Sequence, residues 1–160
     1  DEDETADRYL AVCSALEEAG LKQYEISNFA VPGKESRHNL KYWHCEEYLG
    51  LGPGAHAFVG GKRFYYPRNL NGFLEKPEPV FDGEGGTQEK VLLGLRLKEG
   101  ITRETLAPFG PDGERAFSVM NQKSRPYRAA GLLTGEPERI AMTAKGFLVS
   151  NELIAELLPD

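Results

Sequence analysis

The chain has 160 residues, 40% of them hydrophobic, which is enough for the packed core of one ordinary domain or two small ones. It shows neither an apolar run of roughly 18 residues nor a charged-then-apolar leader, and its two cysteines lack the spacing of a disulfide scaffold, so we expect a cytoplasmic protein without a membrane span. The formal net charge of −6 is a poor match to the basic surface of a nucleic-acid binder, so no nucleic-acid partner is predicted.

The first 30 residues predict one helix followed by one strand. An apolar stripe and a following Gly20 indicate a helix over residues 5–19. Residues 23–29 then predict a strand with Glu25 and Ser27 on one face. If this unit belongs to a barrel, Glu25 and Ser27 are candidates to face its lumen. A salt bridge is the ordinary alternative for Glu25, because a charge inside a strand needs a partner.

Residues 24–56 hold all three histidines, the only tryptophan and a glycine-rich turn. After a strand-like start they follow no single period, so we interpret them as a site-building loop. Next, residues 57–59 and 62–66 flank Gly60 and Gly61, which predicts a two-residue hairpin.

The remaining sequence predicts a linker and then a mostly helical domain. Prolines and glycines over residues 67–86 indicate the linker, with a short helical piece at 70–74. Helices are predicted over 87–98 behind Thr87, after Thr102, from about 112 to 133 with a break at Pro126, and after Thr143, with a short strand at 139–142. This order resembles a winged-helix-like module.

Five separated words of the sequence point to a known family. They are Tyr-Glu-Ile-Ser-Asn-Phe-Ala from Tyr24, His38-Asn39-x-x-Tyr42-Trp43, Gly-Leu-Gly-Pro-Gly-Ala-His from Gly50, Leu-Gly-Leu-Arg-Leu-Lys-Glu-Gly-Ile from Leu93 and Met-Thr-Ala-Lys-Gly from Met142. In this order they closely resemble the oxygen-independent coproporphyrinogen III oxidase-like radical SAM family. The His-Asn-x-x-Tyr-Trp word resembles its haem-chaperone (HemW-like) branch.

The resemblance implies a fold and a domain division. Residues 1–66 would be the C-terminal end of a radical SAM-type partial barrel, contributing its last helix-strand unit, the His38 loop, the glycine-rich turn and a hairpin. Residues 67–86 would be a linker. Residues 87–160 would be the winged-helix-like C-terminal domain of the family. The expected fold class is therefore an α/β fragment followed by a mostly α domain.

The resemblance also implies cofactors that this chain cannot hold alone. A [4Fe-4S] cluster of this kind needs three closely spaced cysteine thiolates, and the chain has only Cys13 and Cys45, far apart in the sequence. We therefore expect the cluster and S-adenosylmethionine only in a full-length protein, with the missing N-terminal barrel in cis. The chain by itself is predicted to be inactive in radical chemistry, and no metal site is predicted.

His38 is the main candidate for a ligand-binding residue. A neutral imidazole is a good axial ligand for haem iron, and the rings of Tyr42 and Trp43 follow where they could stack on a porphyrin. The resemblance implies that His38, Tyr42 and Trp43 bind haem. The alternative is that His38 hydrogen-bonds the loop backbone while Trp43 is simply buried. His44 and Cys45 are interpreted as a solvent-facing pair.

The glycine-rich turn is neither a Walker A loop nor a dinucleotide fingerprint. Its glycines permit close approach of the backbone to a ligand. The resemblance implies that Gly52, Gly54 and the main chain of Ala55 and His56 border S-adenosylmethionine. A tight turn at the edge of the barrel is the alternative.

The leading function hypothesis is the C-terminal part of a haem chaperone-like protein, which binds haem or porphyrin for delivery to a haem-accepting protein or for porphyrin metabolism. One alternative is the C-terminal part of an oxygen-independent coproporphyrinogen III oxidase. The other is a winged-helix-like interaction module. For that module, a basic run on the third predicted helix is interpreted as a solvated face or contact surface rather than a nucleic-acid site: Arg115, Lys123, Arg125 and Arg128.

Overall fold

The computed structural model describes residues 2–159, and the side chains of residues 4–159. Helices dominate, and the strands are short. The helices are α1 Glu2–Glu18, α2 Arg37–Trp43, α3 Leu70–Glu75, α4 Thr87–Gly94, α5 Arg103–Leu106, α6 Gly110–Lys123, α7 Arg125–Ala129, α8 Ala144–Leu148 and α9 Ser150–Leu157, with a 3₁₀ turn at Ala107–Phe109. The strands are β1 Lys22–Gln23, β2 Phe29–Ala30, β3 His56–Val59, β4 Lys62–Tyr65, β5 Val80–Glu84, β6 Ile101–Thr102 and β7 Arg139–Ile140.

The first predicted helix is confirmed, and the strand predicted after it is wrong. α1 is followed by Gly20 in the left-handed region, with a φ of +83°. Instead of one strand over 23–29, β1 pairs antiparallel with β2, so the chain reverses within this segment. The middle of the segment finds other partners: the N–H of Ile26 donates to the carbonyl of Arg96 at 2.8 Å. Backbone pairing with the C-terminal half therefore replaces the expected continuous strand.

Residues 37–43 form a helix, which corrects their interpretation as part of a loop. The Ser36 hydroxyl accepts the N–H of Asn39 at 3.3 Å, so Ser36 is the N-cap of α2. At its other end the N–H of His44 donates to Leu40 at 2.8 Å. The helix has no fully buried residue, so the apolar period that reveals most helices is absent from its sequence.

A three-stranded antiparallel sheet of order β3-β4-β5 occupies the middle of the chain. The predicted hairpin is confirmed: Gly60 and Gly61 both have positive φ, +59° and +71°, as a type I′ turn requires. The predicted helical piece is α3, but β5 lies within the stretch interpreted as a linker. Its side chains are mostly exposed and its pairing with β4 is irregular, which conceals the alternation of a strand. The domain division itself stays a prediction.

The C-terminal half contains the main hydrophobic core. It is built from α4 to α9 and closed by the antiparallel pair β6-β7, with these residues at its centre: Val91, Leu95, Ile101, Phe117, Met120, Ile140, Met142, Ile154 and Leu157. Within the described range 2–159, no helix combines the length and apolar character needed to cross a membrane.

Caps in this half agree with the sequence prediction at two of three positions. Thr102 forms a reciprocal capping box with Thr105, and Thr143 accepts the N–H of Gly146 at 3.1 Å. The prediction that Thr87 caps α4 was wrong, because Gly86 occupies the cap position of that helix. Two predicted helices are shorter than expected. The first ends at Gly94, and the last is divided at Val149 into α8 and α9.

Candidate functional site

His38 and Tyr42 lie on the same exposed face of α2, one helical turn apart. The Tyr42 hydroxyl is 3.0 Å from His38 Nε2, and the two ring centroids are 4.9 Å apart at 89°. This bond fixes the imidazole at the surface, and either tautomer of His38 can form it. Nε2 of the exposed His38 is therefore engaged by Tyr42 in this structure.

Aromatic side chains extend from this pair into a shallow cavity. Tyr42 packs edge-on against Tyr48, with ring centroids 4.5 Å apart. The cavity is about 350 Å³ and is lined by Asn39, Tyr42 and Trp43. Leu49 and Leu51, just after Tyr48, are also exposed. Tyr42 and Trp43 thus line one cavity, and His38 adjoins it through its contact with Tyr42.

Trp43 is half-buried and lies against a residue that sequence reasoning did not connect with it. The guanidinium carbon of Arg96 is 5.8 Å from the centre of the Trp43 ring. The indole N–H of Trp43 and the Nε of Arg96 are both buried without a hydrogen-bond partner among the described residues. No local signal predicts this pairing, because it depends on how α2 packs against the segment after α4.

His44 and Cys45 are not a solvent-facing pair, which corrects their interpretation. His44 Nε2 is 2.6 Å from Glu99 Oε1, and the His44 carbonyl accepts Lys90 Nζ at 2.8 Å. Cys45 has a φ of +54°, and burial raises the pKa of its thiol. These contacts attach the end of α2 to the C-terminal half of the chain.

The glycine-rich turn is explained by packing within this chain. A side chain at Gly50 would lie 2.1 Å from the carbonyl oxygen of His56, and Gly54 has a φ of +76°. The N–H groups of Gly54 and Ala55 already donate within the chain, to Tyr66 and Gly52. These bonds favour the tight-turn alternative for the described residues, and a contact with S-adenosylmethionine stays a prediction.

His56 lies at the start of β3, where its ring stacks on Tyr65 with centroids 5.0 Å apart. Its Nδ1 is 3.5 Å from the carboxylate of Asp82. Tyr48 joins this sheet to the His38 surface, since its backbone exchanges two 2.9 Å hydrogen bonds with Phe58 of β3. The turn and α2 are therefore neighbours through Tyr48.

The two candidate lumen residues differ in exposure. Glu25 is only 1% exposed and accepts a hydrogen bond from the side-chain amide of Asn28, whereas Ser27 is exposed. Glu25 forms an isolated bridge with Leu97. The salt bridge considered for Glu25 is absent from the described residues. Whether either residue faces a barrel lumen stays a prediction.

The cysteines do not fit an iron-sulfur cluster within this chain. Cys13 is buried on α1 and Cys45 is half-buried after α2, and both thiols are free. In the part of the chain that the structure describes, no group of three or more His, Cys, Asp or Glu side chains could hold a metal ion. A cluster of the radical SAM type, which needs three thiolates, cannot be assembled from these residues.

The basic run of the C-terminal half is largely engaged within the chain. Arg115 pairs with Asp112 at 2.9 Å, and Lys123 Nζ donates to the carbonyl of Leu158 at 2.9 Å. Arg128 donates to three backbone carbonyls, those of Thr134, Glu136 and Arg139. Lys123 and Arg128 are thus engaged within the fold, whereas Arg115 and Arg125 are exposed to solvent.

Known proteins similar to this chain agree with the resemblance in its sequence. The model of the HemN C-terminal domain matches residues 87–149. The heme chaperone HemW of Lactococcus lactis is 34% identical over 99% of this chain and 43% of its own length. A bovine mitochondrial protein, radical S-adenosyl methionine domain-containing protein 1, is 52% identical over 96% of this chain and 39% of its own length. The chain thus spans about two fifths of these relatives.

A solved structure supports the fold. The coproporphyrinogen III oxidase HemN of Escherichia coli, a radical SAM enzyme, superposes with a TM-score of 0.63 at 14% identity, over 92% of this chain and 39% of that one. The fold is therefore that of the C-terminal part of a HemN-like radical SAM protein. The chain thus carries a HemN C-terminal domain and is related over nearly its whole length to HemW heme chaperones.

Proposed function

We propose that this chain is the haem-binding C-terminal part of a haem chaperone-like protein. The observation that supports this most directly is the exposed His38 and Tyr42 pair beside an aromatic-lined cavity of about 350 Å³. His38 would coordinate haem iron through Nε2, while the faces of Tyr42 and Trp43 would pack on the porphyrin. In the structure the Tyr42 hydroxyl is hydrogen-bonded to His38 Nε2, and it would turn away when iron binds.

The rest of the proposal concerns the full-length protein. An N-terminal barrel in cis would hold the [4Fe-4S] cluster and S-adenosylmethionine, with the backbone around Gly52, Gly54, Ala55 and His56 bordering the latter. Glu25 and Ser27 would lie towards the barrel lumen. The C-terminal half would be a winged-helix-like domain covering the barrel, and the protein would deliver haem to an acceptor protein in the cytoplasm.

Oxidative decarboxylation of coproporphyrinogen III is the second candidate. The structural likeness to HemN is compatible with it, but that likeness reflects the fold alone. The His-Asn-x-x-Tyr-Trp word, of which His38 and Tyr42 lie on the exposed face of α2, favours the chaperone. A nucleic-acid-binding winged helix is disfavoured, because Lys123 and Arg128 are engaged within the chain and the net charge is −6.

Substitution of His38 tests the proposal. Imidazole ligation shifts the Soret band of haem, so His38→Ala is expected to abolish the shift and weaken haem binding about tenfold or more. His44→Ala is the matched control, because His44 is turned towards Glu99 and should leave the spectrum unchanged. Tyr42→Phe keeps the ring but frees Nε2, so it should bind haem at least as tightly as the unmodified chain. An unchanged spectrum and affinity for His38→Ala would overturn the proposal.

A further inference from the structure

Arg96 is a half-buried cation whose surroundings contain no acidic partner. No carboxylate of the described side chains, residues 4–159, forms a salt bridge with it. Arg63, which is also half-buried, pairs with Glu89 at 2.5 Å. A cation taken partly out of water is ordinarily paired with an anion, whereas the contact that Arg96 makes among the described residues is with the ring of Trp43.

The backbone holds Arg96 firmly in place. Its N–H donates to Leu93 at 3.1 Å and its carbonyl accepts from Ile26 at 2.8 Å. Both neighbours, Leu95 and Leu97, are buried in the core. The guanidinium is therefore presented to Trp43 from a rigid segment, which lowers the entropy lost when it binds a ligand.

Each member of the stacked pair Arg96 and Trp43 has an unsatisfied donor. The Nε of Arg96 and the indole N–H of Trp43 are buried without partners among the described residues, and the guanidinium lies 5.8 Å from the Trp43 ring. A planar guanidinium matches a carboxylate through two parallel hydrogen bonds, and an indole N–H can only donate. A site that offers only hydrogen-bond donors and one positive charge favours an anion whose oxygens accept hydrogen bonds.

We propose that Arg96 and Trp43 form a carboxylate-binding site next to the His38 surface. This inference rests on the proposed function, and the carboxylate it assigns is a propionate side chain of the tetrapyrrole. Trp43 lines the cavity shared with Asn39 and Tyr42. His38 adjoins the same cavity through its contact with Tyr42, so the two sites are neighbours on α2.

A metal-free porphyrin tests the carboxylate site separately from iron ligation by His38. Trp43 is the only tryptophan in the chain, so its fluorescence reports binding at the site. We expect mesoporphyrin, which carries two propionates, to quench Trp43 with an affinity about tenfold higher than its dimethyl ester, since an ester cannot form the charged pair. Arg96→Met should remove this preference, and Arg96→Lys should restore part of it.

Controls keep this result independent of the His38 proposal. Arg37→Met, at the exposed start of α2, should leave the preference intact, and thermal unfolding of each variant verifies that it is folded. His38→Ala should retain the preference for the diacid even if haem ligation is lost. Equal affinity for diacid and diester in the unmodified chain, or an equal loss of both in Arg96→Met, would overturn the carboxylate site.

Discussion

At the residue scale, Lys98 is a cation that the fold partly removes from water. Its ammonium lies 5.8 Å from the centre of the Phe147 ring and donates to the Met142 carbonyl at 3.4 Å. Burial lowers its pKa below the ordinary 10.5, an effect that the carboxylate of Glu17 partly opposes. The charge of Lys98 therefore works against folding at neutral pH, while its aliphatic stem contributes packing.

This pKa shift predicts a pH dependence of stability. In the interval between the lowered folded pKa and 10.5, the unfolded chain binds more protons at this site than the folded chain, so the contribution of Lys98 to stability rises with pH. The comparison with Lys98→Met isolates this effect. The stability of the unmodified chain relative to that of the variant should increase as the pH approaches 10.5, measured by urea unfolding at a series of pH values. A difference independent of pH would contradict the lowered pKa.

At the element scale, the side chain of Arg128 adds to the backbone hydrogen bonds that hold the segment between α7 and β7. Arg128 donates to the carbonyls of Thr134, Glu136 and Arg139 at 3.0 to 3.2 Å, and to the Asn121 side chain at 2.8 Å. Its planar, forked donor set is what allows one residue to reach all four acceptors.

Removal of the Arg128 hydrogen bonds should destabilise the C-terminal half. Arg128→Met keeps the stem but removes every donor, so we expect a loss of about 2–3 kcal/mol in the free energy of unfolding. Arg125→Met on the same helix is the control, since an exposed substitution should stay within about 0.5 kcal/mol. Guanidinium unfolding followed by circular dichroism measures both. Equal losses for the two variants would show that Arg128 acts through charge alone.

At the scale of the whole molecule, the N-terminal segment and the C-terminal core are joined directly. Besides the bond from Ile26, the N–H of Lys98 donates to the carbonyl of Tyr24 at 3.0 Å. The side chains of Tyr9 and Ile26 also pack against the C-terminal core. The N-terminal part thus covers one side of a core that is otherwise composed of residues 91–157.

A fragment beginning at Gly85 tests how far that core is self-sufficient. It retains the central apolar residues of the core, so it should fold with a helical circular dichroism spectrum. It loses the burial provided by Ile26 and Tyr9, so its free energy of unfolding should be lower by roughly 2 kcal/mol or more. An unfolded fragment beside a folded whole chain would show that residues 87–160 are not an independent domain.

Local signals in the sequence were sufficient to predict structural features that depend only on nearby residues. Gly60 and Gly61 predicted the hairpin because only residues tolerant of positive φ form its turn. Thr102 and Thr143 predicted helix starts because a hydroxyl can satisfy a free backbone N–H three residues on. The spacing of His38, Tyr42 and Trp43 contained the family resemblance and, once α2 is a helix, also placed His38 beside Tyr42 one turn away.

The sequence by itself determined the family through five separated words, and it determined the caps at Thr102 and Thr143 and the turn at Gly60 and Gly61, because each of these is encoded in a few adjacent residues. Only the tertiary structure decided that the predicted strand after α1 reverses, that β5 joins the sheet and that Arg96 meets Trp43. These outcomes depend on which distant backbone or ring completes the contact. A backbone N–H can be satisfied by any carbonyl within reach, and a guanidinium can stack on any accessible ring, so the packed chain determines which partner each one takes.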